Sequence, residues 1–468
     1  MKDHVITTKV VVIGAGPAGY SAAFRCSDLG LNTILIERYN KLGGVCLNVG
    51  CIPSKTLLHI AKIFKDTREL YKKGIFNSFP KLNVDSLHNW KNSVVNKISS
   101  GLQNIAKFRN VKIIYGIGSF IDHNTISVVN QNSKILIKFE YCIIAIGSKS
   151  VDLPLKISGL WNSTQALNFP KIPSNLLIIG GGVIGLELAT LYSSFGSTVD
   201  VVDNSKKLLS MVDNDIMKIF KKNIENEFNL LRAAHVSCIK KDNCRYIVTI
   251  VNQNGLKSKK KYDNIIVCIG RYPDTKLLKI DSIGLKLNDK GFIKVNKQMK
   301  TNINNIYAIG DIVGEPMLAH KAIHQAHIAA EVISGKNHFF EPQVIPSIAY
   351  TDPEVAWVGI NEEQAIIKKI NYKAVSFPWS ASGRAIAVNS AFGLTKLIFN
   401  RDTCKIIGGS IIGSNAGELL SEISLAIEMG CDAEDIALTI HAHPTLYETI
   451  GLTAEIFQGT VTDIINVK

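Results

Sequence analysis

The stretch KVVVIGAGPAGYSAAF (9–24) decides the fold. A β-branched run enters Gly14, Gly16 and Gly19 at G-x-G-x-x-G spacing, and small residues follow. A second apolar run, TILIER (33–38), ends in Glu37, eighteen residues after Gly19. This order predicts strand, tight turn, helix and strand. The glycines let backbone N–H groups approach a pyrophosphate at the helix N-terminus, and the acid reaches a ribose hydroxyl. One such motif alone would mark only a strand–helix turn. Here it recurs: LLIIGGGVIGLELATL (176–191) carries Gly180, Gly182 and Gly185, and STVDVVD (197–203) ends in Asp203, again eighteen residues on. Two copies predict an α/β protein with two Rossmann-like dinucleotide-binding units, one for a flavin and one for a nicotinamide. An acid at Asp203 favours NAD over NADP because it repels a 2′-phosphate, although Lys206 and Lys207 follow it.

Further segments fit sheets around these units. YCIIAIGS (141–148) and NIIVCIGR (264–271) each predict a strand running into a glycine. NNIYAIGDIVG (304–314) places Asp311 at a strand end, where it could accept a hydrogen bond from a ribitol hydroxyl. Asp at such a position otherwise caps helices and turns, so it is the two nucleotide motifs that favour the binding role.

The chain has 468 residues, enough for two to four domains, and is 46% hydrophobic and 20% charged, as soluble globular proteins are. MKDHVITTKV lacks the apolar run of a secretory leader, and the apolar stretch 176–192 is broken by three glycines and Glu187, so neither secretion nor a membrane span is expected. A cytoplasmic location is the expectation. The formal charge of +14 raises nucleic-acid binding, but no basic run interleaves with aromatics to stack bases, so no nucleic-acid partner is expected. Lys, Asn and Ile are all abundant, the pattern left by a compositional bias of the coding sequence.

Seven of the nine cysteines stand singly; Cys46 and Cys51 share GGVCLNVGCIPSK (43–55). No second pair or nearby histidine accompanies them, which weighs against zinc, and no metal is expected. PSKTLLHIAKIFKDTRELYKKG (53–74) repeats apolar residues at helical spacing until Gly74, so the thiols lie at a helix N-terminus, where the dipole lowers a thiol pKa. Five residues of regular helix rise about 7.5 Å, beyond the roughly 6.8 Å that a disulfide bridges. Bonding would need distorted backbone, which Gly50 could permit, and would give a labile rather than a stapling disulfide. Exchange also needs a base, and TIHAHPTLYETIG (439–451) offers His441, His443 and Glu448. A carboxylate on one imidazole nitrogen leaves the other free to take a proton, but a lone histidine is as a rule structural, and sequence cannot place this segment beside the thiols.

GAGPAG, GGVCLNVGCIPSK, GGGVIGLELA, AIGD and HPTLYE, in that order over the whole length, resemble the pyridine nucleotide–disulfide oxidoreductases. IPSIAYTDPEVAWVG (345–359) and EMGCDAEDIALTIHAHPTL (428–446) are similar to bacterial members that serve 2-oxoacid dehydrogenase complexes. The resemblance implies FAD, NAD and a homodimer. It puts Gly14, Gly16, Gly19, Glu37, Lys55, Gly118, Asp311 and Ala319 around FAD, and Gly182, Gly185, Asp203, Val236 and Gly270 near NAD. It pairs Glu187, a costly lone charge in its apolar run, with Lys55 beside the flavin. It makes Cys46–Cys51 the redox-active disulfide, with Cys46 meeting substrate and Cys51 the flavin-side thiolate. His443, followed by a cis Pro444, and Glu448 would act in the partner subunit's site. Ile146 and Tyr447 depart from the residues the family often has, and neither removes a catalytic group.

The activity so implied is oxidation of a protein-bound dihydrolipoyl group. The expected partners are the lipoylated acyltransferase subunit of 2-oxoacid dehydrogenase complexes and the lipoyl carrier of glycine cleavage. The rivals are another disulfide reductase, such as one for glutathione, or a mainly structural docking subunit. No cysteine follows Cys431, against a mercuric reductase. The expected domains are FAD-binding (1–148), NAD-binding (149–272), central (273–344) and an α+β dimer interface domain (345–468).

Overall fold

In the computed structural model, residues 4–131, 133–155, 157–168 and 171–465 are described. Strand β1 (His4–Ile13) enters α1 (Pro17–Asp28) through the first glycine motif, and β2 (Thr33–Glu37) follows. Val10, Val11, Val12 and Ile13 are all buried, as a strand covered on both faces requires. The first sheet runs β3 (Lys112–Tyr115), β2, β1, β6 (Lys134–Ile144), β5 (Thr125–Val129), β4 (Ile117–Asp122). The pairs among β3, β2, β1 and β6 are parallel, while β4 and β5 join as an antiparallel flap.

Strand β6 shares one edge between two neighbours. Its start pairs with β5 and its end with the strand Ile306–Ala308. The segment expected as a central domain therefore completes the first sheet. Its helix Ala319–Ile333 packs on α1, with Ala322, Ala326, Ala329 and Ala330 in one core with Ala18, Ala22 and Ala23. Leu278, Ile280, Ile293 and Ile306 join the core on the other face. Short side chains on both helices permit that close approach. We propose the four segments expected from sequence as divisions, with 273–344 read as a lobe of the first unit rather than a body with its own core.

The second nucleotide motif repeats the design. Asn229–Arg232, Thr198–Asp203, Asn175–Ile179, Asn264–Val267 and Trp161–Asn162 form a parallel sheet in that order, and helix Val183–Ser194 leaves the glycine turn. A three-stranded antiparallel sheet over 235–262 covers it. Residues beyond 345 build a five-stranded antiparallel sheet from Ser347–Ala349, Glu354–Gly359, Ile406–Gly413, Leu394–Asn400 and Tyr372–Pro378. Helices Ala416–Met429 and Glu448–Gln458 pack on it. Among the described residues no helix is long and apolar enough to cross a membrane.

Candidate active site

The two glycine turns are built alike. Gly14 has φ +96°, and a Cβ there would lie 2.5 Å from Ala145 O; Gly180 has φ +109°, and its Cβ would lie 2.2 Å from Cys268 O. A Cβ at Gly19 would fall 1.7 Å from Gly14 O, and one at Gly185 would fall 1.9 Å from Gly180 O. Only glycine lets each helix start against its own strand turn. The acids brace these turns. Glu37, buried, accepts from Ala15 N at 2.8 Å and Tyr39 N at 3.0 Å. Asp203 accepts from Gly181 N at 2.6 Å and Ser205 N at 2.7 Å. A carboxylate accepts about four hydrogen bonds, so each retains capacity for ribose hydroxyls.

A cavity opens beside the first turn, lined by Gly14, Gly16, Glu37, Gly118, Gly147 and Leu278 among others. Its glycine-lined floor and acid fit a dinucleotide. Asp311 stands in the turn Gly310–Val313, three residues past the strand, because Gly310 at φ +81° bends the chain. It accepts from Ser148 Oγ at 2.7 Å, and Arg271 donates to Ser148 Oγ and Ser148 O, each at 2.7 Å. Ser148 and Arg271 thus join the site; each ends a segment that the sequence marks as a strand running into a glycine, where neither had a role assigned. Ala319 opens the helix packed on α1. Gly182 caps helix Val183–Ser194 at its N-terminus. Val236 lies on the covering sheet at a bulge, just after Ala234 N donates to Asp203 O at 3.0 Å. Gly270 has φ +124°.

The thiol segment folds as two helices, α2 (Gly44–Val49) and α3 (Cys51–Lys72), broken at Gly50 with φ −137° and ψ −109°. The expected distortion is thus this break. A Cβ at Gly50 would lie 3.0 Å from Val45 O, so the break also needs the missing side chain. It brings Cys46 and Cys51, both thiols here, close enough to share a hydrogen bond. That bond from Cys46 lowers the Cys51 pKa to about 7; burial opposes it, Lys55 assists and Glu187 opposes. Donating the bond, together with burial, raises Cys46. The reduced pair therefore keeps its charge on Cys51, at the first residue of a 22-residue helix.

One turn below Cys51, Lys55 meets Glu187 at 2.9 and 2.8 Å. Glu187 is buried and also accepts from Tyr350 N at 3.0 Å, while Lys55 Nζ lies 4.6 Å from the centre of the Tyr350 ring. The charge that looked costly in sequence is thus paired and hydrogen-bonded. Tyr350 is a partner that sequence reasoning missed, and nothing in its spacing signals it.

The two histidines separate cleanly. His441 has both nitrogens engaged, by Glu422 at 2.7 Å and Thr439 O at 2.8 Å, and the Glu422 hydrogen bond raises its pKa against burial. A Cβ at Gly451 would lie 2.8 Å from that ring, so glycine makes its seat. His441 is structural. His443 is 80% exposed, precedes a cis Pro444, and only its Nδ1 is held, by Glu448 at 2.8 Å. Glu448 is fixed in turn by Thr445 N at 2.6 Å. The helix carrying Glu448 packs against Ala433–Leu438 and the strands Tyr372–Pro378 and Leu394–Asn400, while α3 packs against α2, Val84–Phe108 and Val183–Ser194. Among the described residues, the helix that carries Glu448 and helix α3 share no substantial packing within one chain.

Residues 8–326 match the family model described as pyridine nucleotide-disulphide oxidoreductase, and residues 345–454 match that family's dimerisation domain. The chain is 57% identical to dihydrolipoyl dehydrogenase of Buchnera aphidicola from Acyrthosiphon pisum, over 99% of this chain and 98% of that one. It is 53% identical to the protein of that name from Vibrio cholerae, with the same coverage. The HOCl-induced flavoprotein disulfide reductase RclA from Escherichia coli superposes with TM-score 0.86 at 25% identity, covering 96% of this chain and 99% of that one. LpdA from Mycobacterium tuberculosis shares the fold at TM-score 0.88 and 23% identity, covering 96% and 99%. Twin nucleotide turns, a dithiol at a broken helix and these full-length matches agree: the chain belongs to the pyridine nucleotide-disulphide oxidoreductases.

Proposed function

We propose that this chain catalyses the reaction for which its Buchnera and Vibrio relatives are named, the oxidation of a dihydrolipoyl group by NAD+ to give the cyclic disulfide, NADH and a proton. The observation that carries it is the thiol pair at the Gly50 break, set over the Lys55–Glu187 pair. Gly14, Gly16, Gly19, Glu37, Lys55, Gly118, Asp311 and Ala319 would hold FAD, and Gly182, Gly185, Asp203, Val236 and Gly270 would hold NAD. Bound FAD would supply the two-electron relay between the protein dithiol and NAD+.

The chain's own residues handle protons and sulfur. In the oxidised protein Cys46 and Cys51 are bonded. His443 Nε2 takes a proton from one substrate thiol, and the resulting thiolate attacks Cys46 Sγ. The Cys46–Cys51 bond breaks and its electron pair stays on Cys51, the thiol best able to hold it. The second substrate thiol then attacks the substrate sulfur bonded to Cys46 and passes its proton to the departing Cys46 sulfur, which releases cyclic lipoyl disulfide and leaves a Cys46 thiol, a Cys51 thiolate and a protonated His443. Glu448 fixes the imidazole tautomer and steadies its cation. Because, among the described residues, the helix after His443 shares no substantial packing with α3, the base comes from a second copy of the chain in a homodimer, consistent with the dimerisation domain. The natural substrate is a lipoyl group carried on the acyltransferase subunit of a 2-oxoacid dehydrogenase complex or on the glycine-cleavage carrier.

The test is a paired assay. Dihydrolipoamide with NAD+ should turn over, and glutathione disulfide with NADPH should not. The reverse pattern would assign a glutathione-type reductase. Inactivity with every disulfide in flavin-loaded protein would leave only a docking role.

A further inference from the structure

Beyond the thiol site, a partly buried polar cluster lies where the nicotinamide-side unit meets the dimerisation domain. Lys396, in the strand Leu394–Asn400, has a side chain only 2% exposed. Its Nζ meets Asp215 at 2.7 Å, Asp213 at 3.3 Å, and Glu362. Asp213 and Asp215 stand at the start of helix Asn214–Ile224, and Glu362 opens helix Glu362–Ile367. The carboxylate of Asp213 also accepts from Glu362 N at 3.0 Å. Two more ties run alongside: Lys207 to Glu363 at 2.6 Å, and Gln364 to Met211 Sδ at 3.8 Å. Beneath them Ile216 and Phe220 share a core with Val355 and Ile412.

All these ties grip one segment, the chain from Ser205 to Asp215. That segment leaves directly from Asp203, whose carboxylate braces the second glycine turn and itself holds Ser205 N. Lys207, a cation that could have met a 2′-phosphate, is drawn toward Glu363 instead.

We propose that Lys396, with Asp213, Asp215 and Glu362, is a positioning element of the pyridine-nucleotide site. Its cation and Glu362 come from the dimerisation domain and its two aspartates from the nicotinamide-side unit, and it sets the placement of Asp203 and its following loop. This inference rests on the reading that Asp203 contacts NAD. None of the four residues touches the nucleotide in it; they act through the 205–215 segment. Displacing a binding group by an ångström from afar costs up to two orders of magnitude. Lys396 and Asp213 are buried while Asp215 and Glu362 are part exposed, so removing the cation leaves chiefly the Asp213 carboxylate buried and unpaired.

The test uses flavin-loaded, full-length Lys396→Met and the milder Glu362→Gln. For Lys396→Met the KM for NAD+ should rise by about tenfold, with a smaller rise for Glu362→Gln. The rate at which dihydrolipoamide reduces the flavin without NAD+, followed by stopped flow, should stay within about twofold of wild type. An unchanged KM in a folded variant overturns the proposal, as does an equal loss in both measurements, which would mean general destabilisation. If Lys396→Met does not fold, Glu362→Gln decides by the same split. A wild-type protein unable to use NAD+ would instead overturn the underlying reading.

Discussion

Replacing His443 by glutamine should lower dihydrolipoamide turnover by about 10²–10⁴-fold, the range for loss of a positioned general base. The reason is geometric. His443 is the histidine in 439–451 with a ring nitrogen unengaged, and Glu448 fixes the tautomer that makes this nitrogen the acceptor. Glutamine keeps a polar group of similar reach but takes no proton at neutral pH. Reduction of the flavin by NADH, which asks nothing of this base, should proceed at its normal rate. Near-normal turnover would remove His443 from the mechanism. His441→Gln, by contrast, should act through stability, because that ring is seated between Glu422 and Gly451.

Serine in place of either Cys46 or Cys51 should abolish dithiol turnover, by about 10⁴-fold or more, as loss of a nucleophile does. The two variants should nonetheless differ in one readout. In the reduced protein Cys51 titrates near 7, mainly because Cys46 donates to it, then because of Lys55. Its thiolate forms as pH rises through 7 and is lost below. A serine at 46 can still donate, so Cys46→Ser should retain a thiol alkylated rapidly above pH 7, identified at Cys51 by peptide mapping. In Cys51→Ser the remaining Cys46 should react slowly at the same pH. Rapid alkylation of Cys46 in that variant would exchange the roles of the two thiols.

What the sequence made legible was local. Both glycine turns and their acids lie within short spans, and the geometry they need leaves glycine at fixed positions. The strain implied by five-residue spacing between Cys46 and Cys51 pointed to Gly50, where the helix does break. Pairings across long separations were another matter. Glu187 advertised a missing partner by being charged in an apolar run, but Tyr350 N, 163 residues away, left no trace because a backbone donor has no residue signature. The strand Ile306–Ala308 is three residues long, too short for periodicity to reveal that it finishes the first sheet. Ser148 and Arg271 are ordinary polar residues until the fold sets them against Asp311. Lys396 reads in sequence as one of many lysines; Lys91 and Lys321 are buried too, and it is burial among three acids that distinguishes it.

The carboxylate of Glu187 sits at a three-way junction. It belongs to the nicotinamide-side unit, is met by Lys55 from the flavin-side unit, and takes Tyr350 N from the dimerisation domain. Losing Lys55 strands the buried charge, a loss of about 3–5 kcal/mol for removing one partner of a buried pair, and losing Tyr350 N removes a hydrogen bond to a charged group, about 1.5–3 kcal/mol. Such a penalty couples three regions of chain. Chains of this length commonly come apart piece by piece on heating; here the coupling should draw the transitions of the three regions together, so that the reaction centre and the surrounding units lose their structure over one temperature range.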